Sequence, residues 1–597
     1  MKKDKPDPYS KAVLLNINSF DNFFIKLKYV ISYYLSMNSI KKFFKNIDIY
    51  AYISIILSTI FFILFSIFSY KQYLSVGDSA FDLGVTANVL YYFIHGYSFY
   101  SPLLGSNLLS QHFALFDFLI VPVYFIYQSP ISLLIFENFF TAYAGLILYF
   151  ISRNFLNDKL KSKFYLNLIS IMFLILYEMS PYTQSLISFP FHREAFLPFF
   201  FFLAIYSFFN EKRILHYFSL AMIVSLHSNF IFIVGVILLY ELFYLRTYKG
   251  KNIKIWLSKK YNAHKNINIL YFIIFVVILY LYFVFAGFMK GYISGSINFS
   301  TMPTSGASGS AAGSPLGLIL LIFKNPHLLI KYILIGYPSK IFYLKFMIEG
   351  TLIMALFSPL SLIMTLPYLL YAIPSSYSSY YQLGYQYTAL LLAPIFISMI
   401  IGFYNILRII EKINNKYLTK NKIKNMKIFA KIGFTAFITI MIIVSIVMMP
   451  YGLFGPIEHN PHGSQMQHLK NFNNNAEGIY LINISKSIPK NAYILTQNNL
   501  MPYFSNHPHI YQPPLNSNYK NNTSEFQYII VQNTSYWASC NNPSLNSIVH
   551  NDLNNHTYKV ISTQQRTLLL RLSFLNNHTY KVISSYKKYN ISVLERN

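Results

Sequence analysis

Residues 51–70 read AYISIILSTIFFILFSIFSY, an unbroken apolar run with no charged residue. A bilayer core asks for about 20 such residues in one helix. A helix apolar on every side has no face to offer water, so this run is read as a first membrane span. Comparable runs follow near 131–151, 164–178 and 195–209, within 216–245, near 268–288, within 342–373, and near 388–405 and 431–450. The 216–245 run breaks at His227-Ser228-Asn229 and is read as a hairpin of two spans, and 342–373, hinged near Ser358-Pro359, as two more. The expectation is a mainly α fold, a polytopic transmembrane helical bundle of about eleven spans.

Composition agrees. Hydrophobic residues make up 54% of the chain and charged ones 11%, where soluble domains carry roughly 25%; a soluble enzyme and a disordered chain are both excluded. The net charge of +28 could suggest nucleic acid, yet thirty of the 48 lysines and arginines fall in 1–49, 153–163, 212–213, 246–265 and 408–431, the alternate loops. Cytoplasmic loops are the basic ones. The charge therefore reports topology: a multi-pass cell-membrane protein with a cytoplasmic N-terminus, membrane lipids around it and no nucleic-acid partner. A single cysteine, Cys540, leaves no internal disulfide framework and no Cys-rich zinc site.

Three parts follow: a Lys-rich cytoplasmic segment, 1–49; a membrane module, 50–450, with long outer loops 71–130, 179–194 and 289–341; and a polar, Asn-rich part, 451–597. In the last, NAYILTQNNLMPYFSNHPHIYQPP (491–514) reads as strand, short helix, strand; FQYIIVQ (526–532) as a strand; and YKVISSYKKYNISVLER (580–596) as a closing hairpin. The topology makes it an extracytoplasmic α/β domain. In the first outer loop, FALFDFLIVPVYFIY (113–127) is apolar but holds Asp117 and Pro122, which suits an interfacial or re-entrant helix. LNNHTYKVIS occurs twice, at 553–562 and 575–584; two copies do not make a repeat architecture, and the duplication carries no assigned function.

Charge is costly in an apolar module, so the outer acids are the first candidates for chemistry. VGDSAFDLG places Asp78 and Asp82 four residues apart, on one face of a helix. His112 closes the same loop, and the second outer loop, YEMSPYTQSLISFPFHREAF, brings Glu178, His192, Arg193 and Glu194. Together they could deprotonate an acceptor hydroxyl or hold a divalent metal. The plainer alternative makes Asp78 a helix cap and leaves Asp82 and Glu194 facing water. Arg193 and Lys340 are rare outer cations, suited to a lipid phosphate or to snorkelling at the interface. The Tyr-rich run 374–387, ending in Gln386-Tyr387, either lines the site or forms an aromatic belt.

These pieces resemble a family of predicted membrane proteins, domain-of-unknown-function family 2079, which is itself similar to the GT-C membrane glycosyltransferases. The likeness lies in FDLG (81–84), HGYSFYSP (95–102), QHFALF (111–116), YQSPISLLIFEN (127–138), FHREAF (191–196), SKIFYL (339–344), FSPLSLIMTLPYLLYAIPSS (357–376) and QYTALLLAPIF (386–396). The resemblance implies a GT-C-like enzyme taking a sugar from a polyprenyl-phosphate donor on the outer face. It makes Asp82 the first and Asp78 the second catalytic candidate and gives His192 and Glu194 a part in binding metal or donor phosphate; His112, Arg193, Lys340, Gln386 and Tyr387 complete the expected substrate-binding set. Two positions depart from the family: Leu226-His227-Ser228-Asn229 stands where acids are usual, and Gln386 stands where the family tends to have His. A non-catalytic protein whose outer domain binds glycans or proteins is the alternative. A transporter ranks last, since the acids read as clustered at loop ends.

Overall fold

The computed structural model describes residues 48–247, 275–289, 324–417, 437–455, 466–511, 528–532, 558–563, 567–572, 581–586 and 591–595, apart from 78, 79, 103–105, 112, 283, 352, 438, 448–450, 474 and 497. Residues 1–57 and 58–597 form two compact units. Of the first, the described part is the start of helix α1, Ile49–Leu74.

The protein is mainly helical. After α1 come α2 (Ala80–Ile94), a two-strand hairpin of β1 (Tyr100–Ser101) and β2 (Ser106–Asn107), α3 (Asp117–Ile126), α4 (Pro130–Leu156), α5 (Lys163–Met179) and α6 (Pro181–Ser188). A 3-10 turn, Arg193–Phe196, leads into α7 (Leu197–Phe209); α8 (Arg213–Leu226) and α9 (Ile231–Thr247) form the hairpin broken at His227. Then follow α10 (Pro326–Leu334), α11 (Tyr337–Gly350), α12 (Leu366–Ala372) and α13 (Ala389–Tyr417).

Local sequence explains the starts and breaks. Ser129-Pro130 and Ser180-Pro181 each open a helix, the serine hydroxyl accepting from the N–H two residues on and the proline occupying a position that needs no N–H. Pro181 also ends α5, because its ring clashes with the carbonyl four residues back and pushes Ser180 into an extended conformation. The chain consequently turns by 43° between α5 and α6. Residues 181–188, expected as outer loop, are a helix with every residue buried.

Among the described residues three helices are long and apolar enough to cross a membrane: Ile49–Leu74, Pro130–Leu156 and Gln386–Lys412, or four if α5 and α6 make one bent span. The expected hairpin, and the span expected near 268–288, are present as shorter apolar helices. Within 342–373 no described helix is long enough to pass as a span. The stretch divides into α11, two 3-10 turns and α12, because Pro359 and Pro367 interrupt it and Ile353 takes a left-handed φ of 61°. Of the expected last span, 431–450, residues 437 and 439–447 are described and helical, and the rest lie outside the described residues.

The polar end folds as helices α14 (Ala476–Ser487) and α15 (Met501–Phe504) with a five-strand sheet in the order β4-β3-β5-β7-β6. Its strands are β3 (Ile494–Thr496), β4 (Ile510–Tyr511), β5 (Tyr528–Gln532), β6 (Tyr558–Thr563) and β7 (Thr567–Leu572). β3 pairs in parallel with β4 and β5, and β7 antiparallel with β5 and β6. The closing hairpin is β8 (Lys581–Tyr586) with β9 (Ile591–Glu595). Both copies of the duplicated segment become strands with the same bulge, between Val560 and Ser562 in one and Val582 and Ser584 in the other: equal sequence yields equal local structure.

One hydrophobic core runs from Phe65 and Phe68 through Phe173, Phe201 and Leu392 to Leu481, Phe504 and Ile530. The polar end thus shares its core with the bundle. Asn88 on α2 donates to the carbonyls of Ser505 and His507 at 2.9 and 3.2 Å. Tyr73 and Tyr503 stack with ring centres 4.7 Å apart.

Candidate functional site

Helix α2 opens with FDLG, and its first turn holds Asp82, where the unpaired N–H groups of a helix start favour an acid. Gly84 lets α15 lie close: a Cβ there would come within 3.0 Å of the Met501 Cβ. Asp78 and His112 lie outside the described residues.

The second outer segment meets α2 through FHREAF. Phe189-Pro190-Phe191 carries the chain out of α6, and His192 is extended before the 3-10 turn. Three contacts fix that turn. Arg193 donates twice to Asp117, Nε to Oδ1 at 2.6 Å and a terminal nitrogen to Oδ2 at 2.8 Å. The His192 N–H donates to Glu137 on α4 at 3.2 Å. The His192 ring stacks on Phe189 at 4.8 Å and 8°.

The result is an imidazole between two carboxylates. His192 Nε2 stands 3.0 Å from Asp82 Oδ2, and Nδ1 stands 3.8 Å from Glu194 Oε2. Asp82 keeps 37% of its side-chain surface open, against 13% for His192. Burial pushes the Asp82 carboxyl up to about 7; Glu194 adds to the rise and Arg193 opposes it. Burial also raises Glu194, offset in part by its own N–H and by Arg193. Enclosed on most sides yet reachable on one, Asp82 is present in both protonation states at neutral pH, the condition a general base needs. Tyr387 is within electrostatic reach of Asp82 and Glu194, and Gln386 beside it is buried.

Two of the other expected residues have partners within the protein. Arg193, expected on a phosphate, spends two of its donors on Asp117, which is 1% exposed. Lys340 donates to the carbonyls of Tyr332 and Ile333 at the end of α10, at 3.0 and 3.2 Å, and lies 5.0 Å over the Tyr381 ring. Burial lowers its pKa to about 8. A divalent metal does not fit the trio, because His192 turns its two nitrogens towards different carboxylates and the three do not converge. Among the described residues no three His, Cys, Asp or Glu side chains are grouped to hold a metal. Sequence reasoning missed Asp117 and Glu137 as supports. The available signal was their rarity, an acid in each of two apolar helices.

Fold and site define a helical membrane protein with a carboxylate–imidazole–carboxylate recess outside its spans. The chain belongs to the DUF2079 family of predicted membrane proteins, whose model matches residues 72–569. No curated protein sequence matches it. A similar solved structure is that of ArnT from Cupriavidus metallidurans bound to undecaprenyl phosphate, 9% identical, with a TM-score of 0.43 and coverage of 87% of this chain and 99% of that one. A likeness at that level carries no argument about this chain's chemistry.

Proposed function

We propose that this protein is a GT-C-like glycosyltransferase that moves a sugar from a polyprenyl-phosphate donor to an acceptor hydroxyl on the outer membrane face. The basic loops support the topology, with the N-terminus cytoplasmic and residues 451–597 an outer domain. The observation that carries the reading is Asp82: reachable, set 3.0 Å from His192 and titrating near 7.

In this mechanism the acceptor hydroxyl enters the open side of the recess and gives its proton to Asp82. Its oxygen forms a bond to the anomeric carbon while the bond from that carbon to the phosphate oxygen breaks, and the electron pair leaves on the polyprenyl phosphate. His192 orients the Asp82 carboxylate and takes the proton onward; Glu194 orients the imidazole. Arg193 acts through its grip on Asp117, holding the turn in place. Lys340 contributes its remaining donor to the lipid phosphate. Gln386, buried, and Tyr387, half-buried, form the wall against which the sugar rests.

The test is transfer from polyprenyl-phosphate sugars in membranes carrying wild type or Asp82→Asn. Loss of a general base predicts a fall of about 100-fold or more. Unchanged transfer by the variant, or none by wild type with any donor, rules the reading out and favours the non-catalytic binding protein.

A further inference from the structure

A second carboxylate lies inside the bundle, apart from the proposed reaction. Glu178, one residue from the end of α5, is 0% exposed, and neither of its carboxylate oxygens has a hydrogen-bond partner among the described residues. Thr141 Oγ1 is a further buried oxygen in that state, and the Tyr177 hydroxyl and Thr183 Oγ1, also buried, have only each other. They belong together. A Cβ at Gly145 would collide with the Glu178 carboxyl, so α4 keeps a glycine where α5 brings its acid. Thr141 stands one turn before Gly145 on the same face of α4, about 5–6 Å away between Cβ positions. Thr183 neighbours the Tyr177 hydroxyl, and Glu178 is within electrostatic reach of it.

The backbone adds a further element. α5 stops at Met179 and α6 resumes at Pro181 after a 43° turn, so the negative end of a helix dipole lies beside the carboxylate. Broken helices inside membranes place such ends around small cations; here the carbonyls of Tyr177 and Glu178 also accept from the Ser180 N–H and from Gln184 Nε2.

An unpaired carboxylate in an apolar interior costs several kcal/mol or more, and the unpartnered Thr141 hydroxyl adds to that cost. We infer that Glu178, Tyr177, Thr141 and Thr183 form a binding site for a monovalent hard cation of the sodium type at the break between α5 and α6. One carboxylate balances one positive charge, and hydroxyl and carbonyl oxygens are the ligands such an ion takes. The inference is independent of sugar transfer.

The experiment is thermal unfolding of the full chain in detergent at pH 8, titrated with sodium chloride against choline chloride at constant ionic strength. Wild type should gain stability saturably with sodium and not with choline. Glu178→Gln should lose the sodium response while unfolding in choline no lower than wild type, since the uncompensated charge is gone. Should that variant fail to fold, Thr183→Val serves instead, with the sodium midpoint raised roughly five- to tenfold by the loss of one ligand. A wild type that unfolds alike in sodium and choline, which is the behaviour of a merely protonated carboxyl, overturns the site. So does an unchanged sodium midpoint in Thr183→Val.

Discussion

Asp82 and Glu178 are both rare acids in an apolar chain, and their surroundings separate them. Asp82 stands at a helix start with an imidazole at 3.0 Å and part of its surface open. Glu178 stands at a helix end, fully enclosed, its carboxylate without a hydrogen-bond partner among the described residues. The first environment lets a proton come and go, and the second calls for a counter-charge that stays. Residue type alone separates nothing here; the ends of the helices and the neighbouring glycine and histidine do.

The largest way to break this contrast is to loosen the recess. Arg193→Met leaves Asp117 buried and unpaired, which costs about 3–5 kcal/mol. Replacing both residues with apolar ones of similar size should recover most of that loss. Chemical unfolding in detergent reads both variants, and a cost under about 1 kcal/mol for Arg193→Met would show that the pair does not hold the turn.

A smaller effect concerns Asp82 itself. Its folded pKa, about 7, lies above the ordinary 3.8. Folding therefore favours the protonated acid: that contribution is complete below about pH 4 and is lost as pH rises through 7. Asp82→Asn keeps a neutral side chain throughout. The variant should thus gain on wild type between pH 4 and 7, reaching about 2 kcal/mol once the open face of Asp82 is allowed for. Parallel stability curves from pH 4 to 8 would contradict the raised pKa.

Much of this was legible in the sequence, for identifiable reasons. Long uncharged runs such as 51–70 have one solution in a bilayer, and the break at His227 showed because polar residues interrupt an apolar run. Within 342–373 the breaks were harder to see, since counting apolar residues ignores Pro359, Pro367 and the left-handed Ile353. At the site, His192 and Glu194 stood out as rare charges. The Asp117–Arg193 pair spans 76 positions, and no local pattern sets such a partner. Glu178 was read with the second outer loop, whereas the chain only bends at Ser180-Pro181 and continues as a buried helix. The argument that acids cluster at loop ends therefore fails for Glu178, and equally for Glu137 and Glu241, which are 2% and 6% exposed.

The smallest expected effect tests whether the two regions act separately. Tyr124 on α3 donates to Asn506 Oδ1 at 2.6 Å, and Asn506 in turn donates to the Gln128 carbonyl at 2.8 Å. This short chain ties the helix carrying Asp117 to the segment after α15. Tyr124→Phe removes one hydrogen bond and keeps the ring, so it should cost about 1 kcal/mol. Because Tyr124 touches the frame of the recess and not the α5–α6 break, the sodium midpoint should stay at its wild-type value while stability falls. A shifted midpoint would mean that the recess and the buried carboxylate are mechanically linked, and that the contrast between them is one of degree.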